Sequence, residues 1–201
     1  MLGRNTDSRT IEVYDTHVER YQQLAASLPD KASLDRFICH LRPAAKLLDL
    51  GCGTGIYASV LRDKGFDVTA VDASPEMVRV ARKIFNIDAQ CRSFDDLDER
   101  SAYDGIWANF SLLHAPRAAL GEHLLAIHTA LRPAGLFHIS LKLGSGEKRD
   151  ALGRFYSYYS TDEIKVLLDN GGFDLVKEDQ GSGTGLAGTL EKFITILARR
   201  R

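Results

Sequence analysis

An α/β fold, with a largely parallel sheet and helices on both faces, is predicted by three observations. An apolar strand at residues 47–50 runs into Gly51, Gly53 and Gly55 and then into a helical stretch. Strand-like and helix-like segments alternate from there to residue 142, the pattern of a doubly wound sheet. The last two strand-like segments are joined by a run short enough to let them pair antiparallel. A glycine turn between a strand end and a helix start is where parallel α/β sheets hold nucleotide-like ligands, because it turns sharply and presents no Cβ to the ligand. The Gly-x-Gly-x-Gly spacing is neither the usual dinucleotide fingerprint nor a P-loop.

Taken in order, the first nine residues are polar and read as mobile. Residues 11–28 place Val13, Tyr14, Val18, Tyr21 and Leu24 at helical spacing, and Pro29-Asp30 ends that helix. Ser33 reads as the N-cap of a second helix reaching Leu41. After the strand at 46–50, a helix over 55–64 closes at Gly65. A strand at 66–71 ends in Asp72, and Ser74-Pro75 opens a helix to about residue 85. Further strands are predicted at 87–91, 103–110 and 136–142. Between them lie an acidic irregular stretch at 93–101, a helix over 116–131 and a turn at 132–135. Residues 144–159 read as a long polar and aromatic loop, of a length that is usually functional or disordered. Ser160 or Thr161 caps a helix to Asn170. Strands at 173–178 and 191–198 follow, with a flexible Gly/Ser/Thr connection at 181–189.

At 201 residues, one domain is expected. A net charge of −1 supplies no basic field, which disfavours generic nucleic-acid binding, and Arg199-Arg200-Arg201 reads as a solubilising end. Cys39, Cys52 and Cys91 have neither disulfide nor metal spacing, which fits a reducing cytoplasm. The first thirty residues lack the apolar core of a signal peptide, and no apolar run approaches the ~20 residues of a membrane span. The histidines other than His114 are scattered without ligand spacing, so no metal is expected.

Asp72 stands beside the glycine turn, where a carboxylate can accept hydrogen bonds from both hydroxyls of a ribose. The 47–55 turn, Val71-Asp72-Ala73-Ser74-Pro75-Glu76-Met77, Phe94 with Leu97, Tyr103-Asp104-Gly105-Ile106-Trp107-Ala108-Asn109 and Leu131-Arg132-Pro133-Ala134-Gly135 occur in that order. Together they resemble the class I S-adenosylmethionine-dependent methyltransferases over residues 11 to about 199. The resemblance implies a Rossmann-like sheet of seven strands in the order 3-2-1-4-5-7-6, with strand 7 antiparallel. It also implies one domain over 1–201, made of an N-terminal helical lid at 1–42 and an α/β core at 43–201. S-adenosylmethionine is then the cofactor.

Carried over by residue, the resemblance places the backbone of Gly51 and Gly53 along the methionine half of the cofactor and Asp49 near its amino group. Asp72 holds the ribose, and Ala73 and Met77 pack on the adenine. Ser93 stands where relatives usually carry an Asp for the adenine amino group; Asp95 is the substitute, and the Phe94 N–H meets a ring nitrogen. The Asn109 carbonyl receives the methionine ammonium. Asn109-Phe110-Ser111-Leu112-Leu113-His114 lacks the Asn/Asp-Pro-Pro-Tyr/Phe of enzymes that methylate base or glutamine amino groups, and is similar to the small-molecule branch.

His114 is then either a base for a hydroxyl acceptor or a residue that shapes the pocket. Tyr14 and Tyr21 share a helix face and are either acceptor contacts or core aromatics. Lys142, Lys148, Arg149, Arg154 and Tyr156 follow the fifth strand and suggest an anionic acceptor, or else a solvated loop. On the anionic reading Arg154→Ala raises KM for an acidic substrate. The expected partner is a small-molecule acceptor; the sequence does not give the oligomeric state. The competing readings are a nicotinamide oxidoreductase, a non-catalytic cofactor-binding subunit and a tRNA-modifying methyltransferase.

Overall fold

A computed structural model describes residues 3–27 and 30–201. Its strands are β1 (Lys46–Leu50), β2 (Asp67–Asp72), β3 (Ala89–Cys91), β4 (Tyr103–Ala108), β5 (Leu131–Leu143), β6 (Glu147–Arg149), β7 (Phe155–Tyr159), β8 (Phe173–Thr184) and β9 (Leu190–Arg200). The five parallel strands lie in the order β3-β2-β1-β4-β5. Strand β9 adds antiparallel to β5, and β8 antiparallel to β9. The main sheet is therefore the predicted 3-2-1-4-5-7-6, with β8 and β9 as its sixth and seventh strands.

The 144–159 segment departs from its reading as a loop. It forms a hairpin, β6 antiparallel to β7, and β7 runs parallel to the end of β5 through Lys142↔Tyr158 and Leu143↔Tyr159. Aromatic residues favour a pleated, half-buried surface, and Tyr156, Tyr158 and Tyr159 are all buried. The flexible connection is also shorter than predicted. Residues 181–184 pair with 190–193, and the Phe193 ring covers the bare face of Gly181.

The described residues also form seven α-helices, α1 (Ser8–Thr16), α2 (Val18–Ser27), α3 (Lys31–Ile38), α4 (Ile56–Asp63), α5 (Pro75–Phe85), α6 (Leu120–Ala130) and α7 (Thr161–Asn170), and three short 3-10 helices at Phe94–Asp96, Leu112–His114 and Arg117–Ala119. The predicted first helix is two, broken at His17, whose Nδ1 lies 2.9 Å from the Val13 carbonyl. Its predicted stop at Pro29 lies outside the described residues. Helix α3 starts one turn early, because Asp30 caps it by accepting from the Ser33 amide; Ser33 itself lies inside the helix. Ser74 caps α5 as predicted, accepting from the Met77 amide with Pro75 in the first turn. Ser160, paired with Glu163, caps α7.

Alternation along the central strands sends Leu47, Trp107 and Leu136 to one face, against Leu34 and Phe37 of α3. Leu48, Leu50, Ile106 and Phe137 go to the other, against α6 and α7. The C-terminal arginines do not form a free end. Arg200 donates to the Leu131 carbonyl and Arg201 pairs with Asp169 and Asp174. Among the described residues no helix is long and apolar enough to cross a membrane.

Candidate active site

The C-terminal ends of β1, β2 and β4 meet at one edge of the sheet. There the Gly51 and Cys52 amides both donate to the Val71 carbonyl at 2.9 Å, which fastens the glycine turn to β2. Gly51 has φ +78°, and a Cβ on it would lie 2.3 Å from the Ser111 Cβ. Ser111 is held there by donating to the Leu50 carbonyl at 2.6 Å. Gly53 has φ +53°, and its amide donates to Asp72 Oδ2 at 2.8 Å. Asp72 Oδ1 accepts from the Ser74 amide at 2.9 Å. The Ala73 amide also donates to this carboxylate, which leaves acceptor capacity on it beside the glycine turn.

Under this turn lies Asp49, 2% exposed, whose Oδ2 has no hydrogen-bond partner. Burial and then the charge of Asp72 push its pKa up to about 8. The Ala58 amide donates to this carboxyl, so one oxygen of a buried carboxyl beside a bare-glycine cradle is left without a donor. An α-amino acid ammonium supplies one, so the residues present fit the methionine end of S-adenosylmethionine.

A cavity of about 670 Å³, its open mouth included, extends from this floor. Gly51, Gly53, Asp72, Ala73, Met77, Phe94 and Asn109 line one part; Phe110, Ser111 and His114 line the wall beyond β4. The roof is Asn5, Thr6, Asp7, Thr10, Ile11, Tyr14 and Tyr21. The described part of the first nine residues is therefore clasped in place. The Asn5 amide and Nδ2 each donate to Asp95 at 2.8 Å. Asp7 caps α1 and pairs with Arg149 at 2.7 Å. Thr10 Oγ1 accepts from the Phe155 amide at 2.8 Å.

Two expectations for the adenine end are corrected. The Ser93 hydroxyl donates to Asp96 Oδ2 at 2.8 Å in a local cap and does not line the cavity. Asp95 does not line the cavity, and both its oxygens accept from Asn5 in the N-terminal clasp. At Asn109, side-chain Oδ1 is held from behind by Ser140 at 2.7 Å and by His138 at 3.2 Å.

The cations after β5 form no open anion site. Arg154 is 3% exposed, and its Nε and Nη2 donate to Asp150 at 2.9 and 2.6 Å. Lys142 lies 3.5 Å from the Tyr156 ring centre and 3.6 Å from Glu191. Lys142, Arg149 and Arg154 each have a carboxylate of their own, Lys148 packs 4.3 Å over the Tyr158 ring, and Lys142, Arg154 and Tyr156 do not line the cavity. The anionic-acceptor argument from this cluster does not hold.

Tyr14 and His114, 100 residues apart in sequence, meet here. Tyr14 Oη lies 2.8 Å from His114 Nε2, and His114 Nδ1 lies 2.7 Å from the Phe155 carbonyl. A carbonyl only accepts, so Nδ1 carries the ring proton and Nε2 accepts from the phenol. Burial pushes the imidazole pKa down to about 3, and Arg154 and Lys142 add to that. His114 is neutral near pH 7, with its free nitrogen facing Tyr14. Sequence reasoning missed Asn5, Thr6, Asp7, Thr10, Ile11, Phe110 and Ser111. Only Asp7, three residues before Thr10, carries a readable signal, that of an N-cap.

The fold and this site define a class of protein, and comparison with known families agrees. A methyltransferase-domain family model matches residues 17–178, so the chain belongs to that family, the class I S-adenosylmethionine-dependent methyltransferases. The crystal structure of Burkholderia thailandensis 1,6-didemethyltoxoflavin-N1-methyltransferase, with its namesake compound and S-adenosylhomocysteine bound, is similar. It has 26% identity and a TM-score of 0.74, over 100% of this chain and 92% of that one. A ubiquinone biosynthesis O-methyltransferase of Xanthomonas axonopodis pv. citri is 26% identical over 159 residues, 69% of this chain and 66% of the relative. The cyclase SpnF, at 19% identity, TM-score 0.73 and 99% and 98% coverage, shares the fold. The chain spans 43–66% of the length of the first curated relatives it matches.

Proposed function

We propose that this chain transfers a methyl group from S-adenosylmethionine to a small-molecule acceptor. The single observation that carries this reading is one continuous cavity joining Asp72 and the glycine turn to Tyr14 and His114. In it Asp72 takes the ribose hydroxyls, Ala73, Met77 and Phe94 take the adenine, and Gly51, Gly53 and Asn109 take the methionine end, with Asp49 beneath the glycine turn rather than in the cavity lining. Tyr14, Tyr21 and His114 face the acceptor, and residues 1–42 act as a lid on the 43–201 core. When bound, S-adenosylmethionine supplies an electrophilic methyl on a good, neutral leaving group. The chain's own work is to hold the nucleophile ~3 Å from that methyl, in line, and to keep water out. The relatives named for O- and N-methylation of small molecules support this acceptor class. Free Cys39, Cys52 and Cys91 support a reducing, cytoplasmic setting.

The test is release of S-adenosylhomocysteine with pooled small-molecule extracts, alongside pooled tRNA. Turnover with the extracts alone is the expected result. Turnover with tRNA alone, or binding of NAD in preference to S-adenosylmethionine by calorimetry, overturns the reading.

A second expectation follows from Asp49. Its carboxyl is protonated below about pH 8, whereas a neighbouring ammonium favours the carboxylate. Cofactor binding at pH 7 should therefore release a proton, and affinity should rise with pH up to about 8. Calorimetry in two buffers of different ionisation enthalpy reads the proton; Asp49→Asn should abolish its release.

A further inference from the structure

We propose that Tyr14 takes the acceptor's proton while handing its own phenolic proton to His114, with Arg154 as the positioning residue that sets the direction of this relay. The proposal rests on the methyl-transfer reading above. A phenol has one proton and two acceptor sites. Tyr14 Oη sits 3.0 Å from Arg154 Nη1, a group that only donates, so one acceptor site is filled from there. His114 Nδ1 is committed to the Phe155 carbonyl, so Nε2 only accepts, and the Tyr14 proton points at it. The other acceptor site on Oη faces the Tyr156 hydroxyl, so the acceptor's X–H takes that hydroxyl's place when it enters the cavity that Tyr14 lines. Asp150 fixes the guanidinium through two of its nitrogens, so the phenol cannot reverse without breaking that pair. The other groups around the two rings are Tyr156 and Lys142 beside His114, and Tyr21 and Asp72 near Tyr14.

The proton count closes. As the acceptor atom X gives an electron pair to the methyl, the X–H bond breaks and its pair stays on X. That proton joins Oη, the Tyr14 O–H bond breaks, and the phenolic proton joins Nε2. The sulfonium charge is lost as the sulfur keeps the pair of the broken S–C bond, and one positive charge appears on the imidazole, so the cavity's net charge is unchanged. A hydroxyl or ring N–H whose heteroatom is acquiring a methyl is strongly acidic, so even a poorly basic imidazole takes its proton. The relay thus assigns the acceptor to hydroxyl or ring N–H compounds. Thiolates and carboxylates need no base.

Two measurements decide it. With S-adenosylhomocysteine bound, ring-nitrogen NMR should show His114 protonated at Nδ1 and bare at Nε2, and Tyr14→Phe should shift Nε2 alone. A proton on Nε2 in the native protein overturns the relay. With S-adenosylmethionine and substituted phenols of graded acidity, Tyr14→Phe should lower kcat about a hundredfold with little change in KM, the range of general-base contributions. His114→Gln should do the same, and the double variant should be no worse than either single one. Methylation of thiophenol, which reacts as its thiolate and needs no base, should fall much less than methylation of the phenols. Equal losses on phenols and thiophenol, additive losses in the double variant, or a change in KM alone overturn the proposal. If the native protein binds the cofactor yet methylates neither probe, the failure falls on the methyl-transfer reading, and the ring-nitrogen spectrum still decides the relay.

Discussion

Asp72→Ala is expected to weaken S-adenosylmethionine binding by about a hundredfold or more. Asp72 reaches the cavity with each of its oxygens already tied to one backbone amide, Gly53 and Ser74. On the proposed reading its carboxylate also takes two vicinal hydroxyls of the ribose. A hydrogen bond to a charged group contributes ~1.5–3 kcal/mol, so losing two costs ~3 kcal/mol or more, a factor of ~10². The variant also leaves two amides without their acceptor and loosens the glycine turn from β2. Asp72→Asn keeps one acceptor oxygen and should fall between. Calorimetry gives the affinities, and the cofactor-induced rise in Tm should vanish in Asp72→Ala. Near-native affinity in that variant would falsify the ribose role.

That site was legible because its parts are local in sequence. A strand, a glycine turn and a capped helix each leave a short signature, and the turn and the Ser74-Pro75 cap stand where the pattern puts them. What the pattern hides is long range. Asn5 meets Asp95 across 90 residues, and Thr10 meets Phe155 across 145. Nothing in a polar N-terminus announces such partners, so it reads as mobile. The hairpin of β6 and β7 was hidden differently. Its residues are charged and aromatic, with no apolar alternation, and the tyrosines become core only because β5 extends far enough to pair with them.

The same blindness explains the cation cluster. Lys142, Arg149 and Arg154, three of the four cations of that stretch, look like free positive charges in the sequence. Glu191, Asp7 and Asp150 neutralise them, and only Asp150 is near in sequence to its partner. These charges fasten the N-terminal segment and the hairpin to the rest of the chain. Arg154 also donates to Tyr14, so the residues that hold the fold also set the position of Tyr14 over the cavity.

Arg154→Ala is accordingly expected to act first on stability. Its guanidinium and the Asp150 carboxylate are 4% and 9% exposed as side chains and meet at 2.6 Å. Removing one partner of a buried pair leaves an uncompensated charge and costs ~3–5 kcal/mol. At this chain length that lowers Tm by roughly 10 °C. Adding Asp150→Asn removes the stranded charge and should recover part of the loss. The acid limb gives a second check. Arg154 and the Leu152 and Arg154 amides hold the Asp150 pKa below its ordinary 3.8 despite burial. A carboxylate whose folded pKa is depressed stabilises fully above its unfolded pKa and loses that contribution as pH falls through the folded value. Native stability should therefore fall below about pH 4, and Arg154→Ala should show a shallower fall there. Urea melts from pH 7 to 3 measure both. Unchanged melts with a raised KM for a carboxylate substrate would instead put Arg154 in contact with the acceptor and restore the anionic reading; a large stability loss, partly rescued by Asp150→Asn, keeps Arg154 behind Tyr14.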